Sequence, residues 1–276
     1  MKKIGLIGCG NMGEAIVSGL LKALWATPKE IIISTKTTAR REKLKQEYGI
    51  ELALSNAEVA QKTPIIILAV KPNLYREVLA EILPFLNPSK TVVSITPSFS
   101  LEMLRKLSGG KATVVRAMPN TPAKVGWGMT GLTFETDTPQ EIRQKITDLF
   151  SCFGQTLEVS EEMMKVVGSL SGSAPAFIEL FMKAMVDSGI SYGMSPEDAR
   201  LLVVQTFLGT AQLAQEYTKP FESMITDVCS KGGSTIRGVT SLKESGFEEI
   251  IRQAVTKTTE RFIEMNRENN DPYTKQ

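Results

Sequence analysis

Residues 4–13 read Ile-Gly-Leu-Ile-Gly-Cys-Gly-Asn-Met-Gly, and the segment from Gly8 to Gly13 has the spacing G-x-G-x-x-G. Alone, that spacing is a weak signal; its setting decides the fold. A short apolar strand (KKIGLIG) runs into it and a helix from Asn11 to Leu24 leaves it. A second strand, Ile31 to Thr35, begins roughly twenty residues later. In such a strand–turn–helix unit Gly8 permits the tight turn, Gly10 lets the backbone approach a pyrophosphate, and Gly13 lets helix pack on strand. The helix N-terminus adds unpaired N–H groups and the positive end of its dipole. The stretch predicts a dinucleotide site, against the alternative of a purely structural glycine turn.

Working outward, the alternation continues. Helix Arg40–Tyr48 is followed by a short strand (IELAL) and by the apolar run Pro64–Val70, the mark of a strand buried on both faces of a parallel sheet. Helix Tyr75–Leu83, strand Thr91–Ile95, helix Ser100–Leu107 and strand Thr113–Met118 complete a βαβα pattern. Beyond Glu161 no strand pattern is found. Helices are expected over 161–170, 174–191, 196–217, 220–229 and 247–267, and the polar tail NNDPYTKQ is expected to fray. Ser195-Pro196-Glu197-Asp198 marks one start, with an N-cap serine, proline at the first helical position and acids in the first turn. The expected fold is α/β: an N-terminal Rossmann doubly wound sheet over 1–163 and an all-α domain over 164–276.

Composition narrows the function. The 276 residues carry a net charge of +2, which advertises neither nucleic acid nor an anionic membrane as a partner. The most apolar helix, Phe177–Ile190, contains Glu179, Lys183 and Asp187, so it reads as a core or subunit-interface helix and not as a membrane span. Two lysines precede the first strand, yet the apolar stretch is too short and glycine-rich for a signal peptide. Three scattered cysteines, Cys9, Cys152 and Cys229, have no metal-ligand spacing and fit a reducing cytoplasm. There is no histidine. Imidazole-based triads and His-ligated zinc are thereby excluded.

The end of the second strand bears on the cofactor. NAD sites place an acid there for the ribose 2′-hydroxyl, whereas NADP sites use polar and basic groups. Here the sequence is Ser34-Thr35-Lys36-Thr37-Thr38, followed by Arg40 and Arg41. Ser34 and Thr35 can donate to a 2′-phosphate and Lys36 or Arg40 can supply charge, so NADPH is expected over NADH. The alternative is that these cations merely begin a solvated helix. A second glycine-rich run, Ser230-Lys231-Gly232-Gly233-Ser234-Thr235-Ile236-Arg237-Gly238, lies deep in the helical half. It is either a helix cap or a bend that brings backbone close to a small ligand.

AVKP (69–72), RAMPNTPAKVGWGMT (116–130), LSGSAPAF (170–177) and the second glycine run followed by SLKESGFEEIIRQAV, together with the first glycine loop, resemble pyrroline-5-carboxylate reductase over nearly the whole chain. The resemblance implies NAD(P)H-dependent hydride transfer to the cyclic imine 1-pyrroline-5-carboxylate, giving L-proline. It implies that the helical half interlocks two subunits, as a homodimer or a ring of dimers. It assigns Gly8, Gly10, Asn11, Met12 and Gly13 to the pyrophosphate, Ser34 and Lys36 to the adenosine ribose, and Asn56 to the cofactor's side. Ala69, Val70, Lys71 and Pro72 would line the nicotinamide. Ser234 and Thr235 would bind substrate, Thr235 orienting the imine nitrogen, with Glu161 as a nearby acid.

Two departures stand out. Lys231 replaces the family's usual proline, and Thr96-Pro97-Ser98 stands where an Ala-Gly pair is usual. They leave open a late-competence-operon paralogue with little turnover. A β-hydroxyacid dehydrogenase would need a catalytic lysine on an interdomain helix, for which Lys165 is the nearest candidate.

Overall fold

The computed structural model describes residues 2–270. Its first half runs β1 (Ile4–Ile7), α1 (Asn11–Lys22), β2 (Ile31–Ser34), α2 (Thr38–Tyr48), β3 (Glu51–Leu52), α3 (Asn56–Lys62) and β4 (Ile65–Leu68). There follow α4 (Tyr75–Ile82), β5 (Thr91–Ser94), α5 (Leu101–Leu107), β6 (Thr113–Pro119), β7 (Gly128–Phe134), α6 (Gln140–Ser151) and β8 (Gly154–Glu158). The strands form one sheet in the order β3-β2-β1-β4-β5-β6-β7-β8. Only the β6–β7 pairing is antiparallel. The doubly wound α/β fold expected from the glycine loop is the fold observed.

Why β1, β2 and β4 are nearly unbroken isoleucine and leucine follows from the layering. Alternate residues go to opposite faces. Ile4, Leu6, Ile31, Ile33, Ile65 and Ile67 pack with Ile16 and Leu20 of α1 and Phe150 of α6. Ile7, Ile32, Ile66 and Leu68 pack on the other face with Tyr75 and Leu79 of α4. Gly5 is the exception that lets α3 come close, since a Cβ there would lie 2.3 Å from Val59 Cγ1.

β7, β8, α3 and α6 were not expected from the sequence. β7 reads GMTGLTF, with two glycines and only two β-branched residues, so its local preference for a strand is weak. Packing overrides it: a Cβ at Gly131 would meet Val167 Cγ1 at 2.6 Å. The helix expected over 161–170 is also broken up. A turn at Glu161–Met163 leads to the one-turn helix α7 (Met164–Val167) and then to a wide π-type turn, Gly168–Gly172. Gly168 lies flat against the Phe262 ring, where a Cβ would be 2.5 Å from Cε2.

Five helices complete the described residues: α8 (Ala174–Ser191), α9 (Pro196–Glu216), α10 (Phe221–Val228), α11 (Ser234–Glu244) and α12 (Phe247–Asn270). Two compact bodies result, one built from the chain up to Ser173 and from Thr258 onward, the other from Ala174–Lys257. The second body is made of helices alone, held by Phe181 against the rings of Phe207 and Phe247. Asn269 and Asn270 end α12, and the rest of the tail expected to fray lies outside the described residues. Among the described residues no helix is long and apolar enough to cross a membrane.

Candidate active site

The glycine loop is pinned where β1, β2 and β4 end. Gly8 N–H donates to Ser34 O at 2.8 Å, and Ala69 N–H donates to Ile7 O at 2.8 Å. Gly8 has φ of +83°, and a Cβ there would stand 2.6 Å from Ala69 O and 2.7 Å from Val70 Cγ1. Gly8, Ser34, Ala69 and Val70 are thus gathered at the carboxyl edge of the sheet. Lys71 is exposed and precedes the short turn Pro72–Leu74.

Gly10 is different in kind. A Cβ there would meet nothing within 4 Å. It is the N-cap of α1 with no side-chain cap, and among the described residues the amides of Asn11, Met12 and Gly13 have no acceptor. A pyrophosphate fits this seat, with open space over Gly10 and unpaired donors at a helix N-terminus. The neighbouring Cys9 thiol is buried, which pushes its pKa up to about 11. It stays neutral beside an anionic ligand.

At the end of β2, Ser34 Oγ donates to Asn56 Oδ1 at 2.7 Å, and Asn56 Nδ2 donates to Glu81 at 2.6 Å. Lys36 is exposed and, among the described residues, has no acceptor. Arg40 and Arg41 are engaged with backbone carbonyls.

Within β6 lies a buried charge that sequence reasoning passed over. Arg116 is only 2% exposed and forms an ion pair with Glu161. Its second amino group donates to Pro97 O at 3.0 Å. Glu161 also accepts from Leu101 N–H at 3.3 Å, at the start of α5. Its other carboxylate oxygen is buried with no partner among the described residues. Pro97 therefore contributes its carbonyl to the network; a proline has no N–H to offer. The RAMPN stretch was legible as a motif, but an arginine inside a strand that should be apolar was the unused signal. Asn120 of the MPNTP turn accepts from Met129 N–H and donates to Ser171 Oγ, so the Ser171 hydroxyl is already engaged.

In the helical body, α11 begins at Ser234, directly after the second glycine pair. Gly233 is the N-cap, with no side-chain cap bond, and Gly232 has φ of +75°. Ser234 and Thr235 are consequently the first helical residues and not caps, and their hydroxyls have no partner among the described residues. Thr235 faces a mainly apolar cavity of about 610 Å³ with Tyr217, Phe221, Ile225, Cys229 and Val239. Lys165 lies in the one-turn α7, not on a long helix.

A glycine-loop seat at the carboxyl edge of a sheet ordered β3-β2-β1-β4-β5-β6 defines a Rossmann dinucleotide-binding domain. Consistent with that class, residues 3–98 match the family described as NADP oxidoreductase, coenzyme F420-dependent. Residues 161–265 match the family described as pyrroline-5-carboxylate reductase dimerisation. The chain is 37% identical over 266 residues to the pyrroline-5-carboxylate reductase of Escherichia coli K12, covering 96% of this chain and 99% of that protein. The solved pyrroline-5-carboxylate reductase of Coxiella burnetii superimposes with a TM-score of 0.89 at 29% identity, covering 96% and 98% of the two chains. The Plasmodium falciparum pyrroline carboxylate reductase, solved with NADP bound, gives 0.87 at 28% identity, covering 96% and 98%. The chain belongs to the pyrroline-5-carboxylate reductase family.

The glycines separate structural from ligand-facing roles. Gly10→Val should leave the melting temperature nearly unchanged yet weaken NADPH binding by about tenfold or more, because the side chain occupies space meant for phosphate. Gly8→Ala should lower stability as well, since its Cβ meets backbone at a positive φ. Thermal melts and cofactor titrations on the two variants check this; equal melting losses would refute the distinction.

Proposed function

We infer that this protein reduces 1-pyrroline-5-carboxylate to L-proline, taking hydride from a nicotinamide dinucleotide. The carrying observation is full-length similarity to reductases of that name, joined to a phosphate seat whose space and donors remain open at Gly10. Residues 1–163 serve as the dinucleotide-binding domain and 164–276 as the dimerisation and substrate domain.

The bound dinucleotide supplies the hydride. Gly8, Gly10, Asn11, Met12 and Gly13 hold its pyrophosphate. Ser34, Lys36 and Asn56 take the adenosine side, and Ala69, Val70, Lys71 and Pro72 take the nicotinamide side. A protonated imine carbon accepts hydride readily, so the residues are needed for orientation more than for proton transfer. That requirement suits a chain without histidine. Ser234 and Thr235 bind the substrate carboxylate and the imine nitrogen, helped by the bend at Gly232. The unpartnered oxygen of Glu161 is an acceptor on the substrate side.

NADPH is preferred over NADH, since the end of β2 offers Ser34 and Lys36 and no acid. The helical body carries a dimerisation domain, and in the single chain Leu180 and Leu201 are 68% and 67% exposed. We take the dimers to assemble further into rings, in the cytoplasm, where free cysteines persist.

Thr235→Val should lower kcat/KM roughly 10- to 150-fold, the value of a hydrogen bond to a charged group. Cofactor affinity and melting temperature should move little, and near-normal turnover would overturn the role. Lys36→Asp combined with Ser34→Asp should raise the Kd for NADPH more than that for NADH; equal effects would sink the preference. Sedimentation should give species larger than a dimer at micromolar concentration, and a dimer alone would dismiss the ring.

A further inference from the structure

Three cations crowd the turn after β2, and each is a candidate to meet a 2′-phosphate. Their engagements differ. Arg41 donates to Ala53 O at 3.0 Å and to Thr35 O at 3.4 Å, tying the turn to the chain after β3. Arg40 reaches the glycine loop itself: Nε donates to Cys9 O at 2.7 Å and Nη2 to Gly10 O at 3.0 Å. The same Nη2 contacts Glu14 Oε2 at 2.6 Å, in the first turn of α1. Glu14 is held in turn by Lys43 at 2.8 Å and by the Tyr48 hydroxyl at 3.4 Å, both from α2. Burial opposes ionisation of Glu14, but the Lys43 and Arg40 hydrogen bonds outweigh it and keep its pKa below the usual carboxylate range.

We propose that Arg40 is a positioning residue for the pyrophosphate loop and not the reader of the 2′-phosphate, a task left to Lys36. The inference rests on the dinucleotide reading above and assigns the loop's cations separate work. A guanidinium presents a rigid fork of donors, so it can hold the carbonyls of two successive residues at once. Drawing the Cys9 and Gly10 carbonyls toward α2 fixes the peptide planes whose continuation is the row of amides at Asn11, Met12 and Gly13. Glu14 completes the clamp by balancing the guanidinium charge at one of its amino groups. The three acceptors occupy Nε and Nη2, and an arginine turned so as to present that edge to a 2′-phosphate would give them up.

The test compares Arg40→Met and Lys36→Met in the full-length enzyme, reading Kd for NADPH and NADH and inhibition by adenosine 2′-monophosphate, which lacks a pyrophosphate. Arg40→Met should weaken both dinucleotides by a similar factor, about tenfold for two lost hydrogen bonds, and leave adenosine 2′-monophosphate unaffected. Lys36→Met should do the reverse, weakening NADPH and adenosine 2′-monophosphate but not NADH. Loss of NADPH and adenosine 2′-monophosphate binding in Arg40→Met, with NADH unchanged, would overturn the assignment. No change in any ligand would overturn it too. Should Arg40→Met melt early, Glu14→Gln carries the test, with both dinucleotides weakened in one ratio expected and selective loss of NADPH against it. A wild-type enzyme that binds neither dinucleotide strikes the underlying reading, and this inference with it.

Discussion

The structure depends on one close approach. At Gly8 the chain leaves β1 and must pass the Ala69 carbonyl with no room for a methyl group. Only a glycine at positive φ makes that passage. Because it is made, α1 starts directly over the sheet edge, its first amides face outward, and Ala69 and Val70 lie beside the loop. The hydrogen bond from Gly8 to Ser34 O carries the same constraint sideways to the end of β2. The open start of α1, the end of β2 and the Ala69–Val70 edge are thus brought together by a single backbone crossing.

Polar groups away from that crossing serve to hold it in shape. Asn56 and Glu81 steady the end of β2 through Ser34. Arg116, buried in β6, ties the chain after β5 to Glu161 and so to the start of α5. A buried guanidinium is costly unless its donors are met, and since Arg116 Nε is already buried with no partner among the described residues, the acceptors at its two amino groups matter the more. The unusual Thr96-Pro97-Ser98 segment becomes intelligible here: Pro97 needs no donor where the required partner is a carbonyl. Nothing in the structure explains Lys231.

Much of this was legible in the sequence, for a physical reason. Strands buried on both faces must be apolar throughout, so β1, β2 and β4 announce themselves, and the glycine loop between two of them fixes the topology. α8 and α9 are long, and α9 carries its own start signal in Ser195 and Pro196. β7 escaped because Gly128 and Gly131 are there for neighbours, not for strand preference. The segment 161–170 misled because its helical composition is overruled by Gly168 against Phe262, a residue distant in sequence. In the site, residue types were readable but allegiances were not. Lys36, Arg40 and Arg41 look alike as letters, and only geometry shows that the two arginines are spent on carbonyls.

The helical body has no large fully buried core of its own, and of its residues only Ala199 and Val203 are shut away from solvent in the single chain. Its exposed leucines, Leu180 and Leu201 among them, lie within the residues that match the dimerisation family. Where association covers such a surface, folding is governed by mass action as well as by contacts within the chain. For such a protein the free energy of unfolding carries the logarithm of subunit concentration. A melting temperature describes the chain only when the amount of protein in the tube is stated with it.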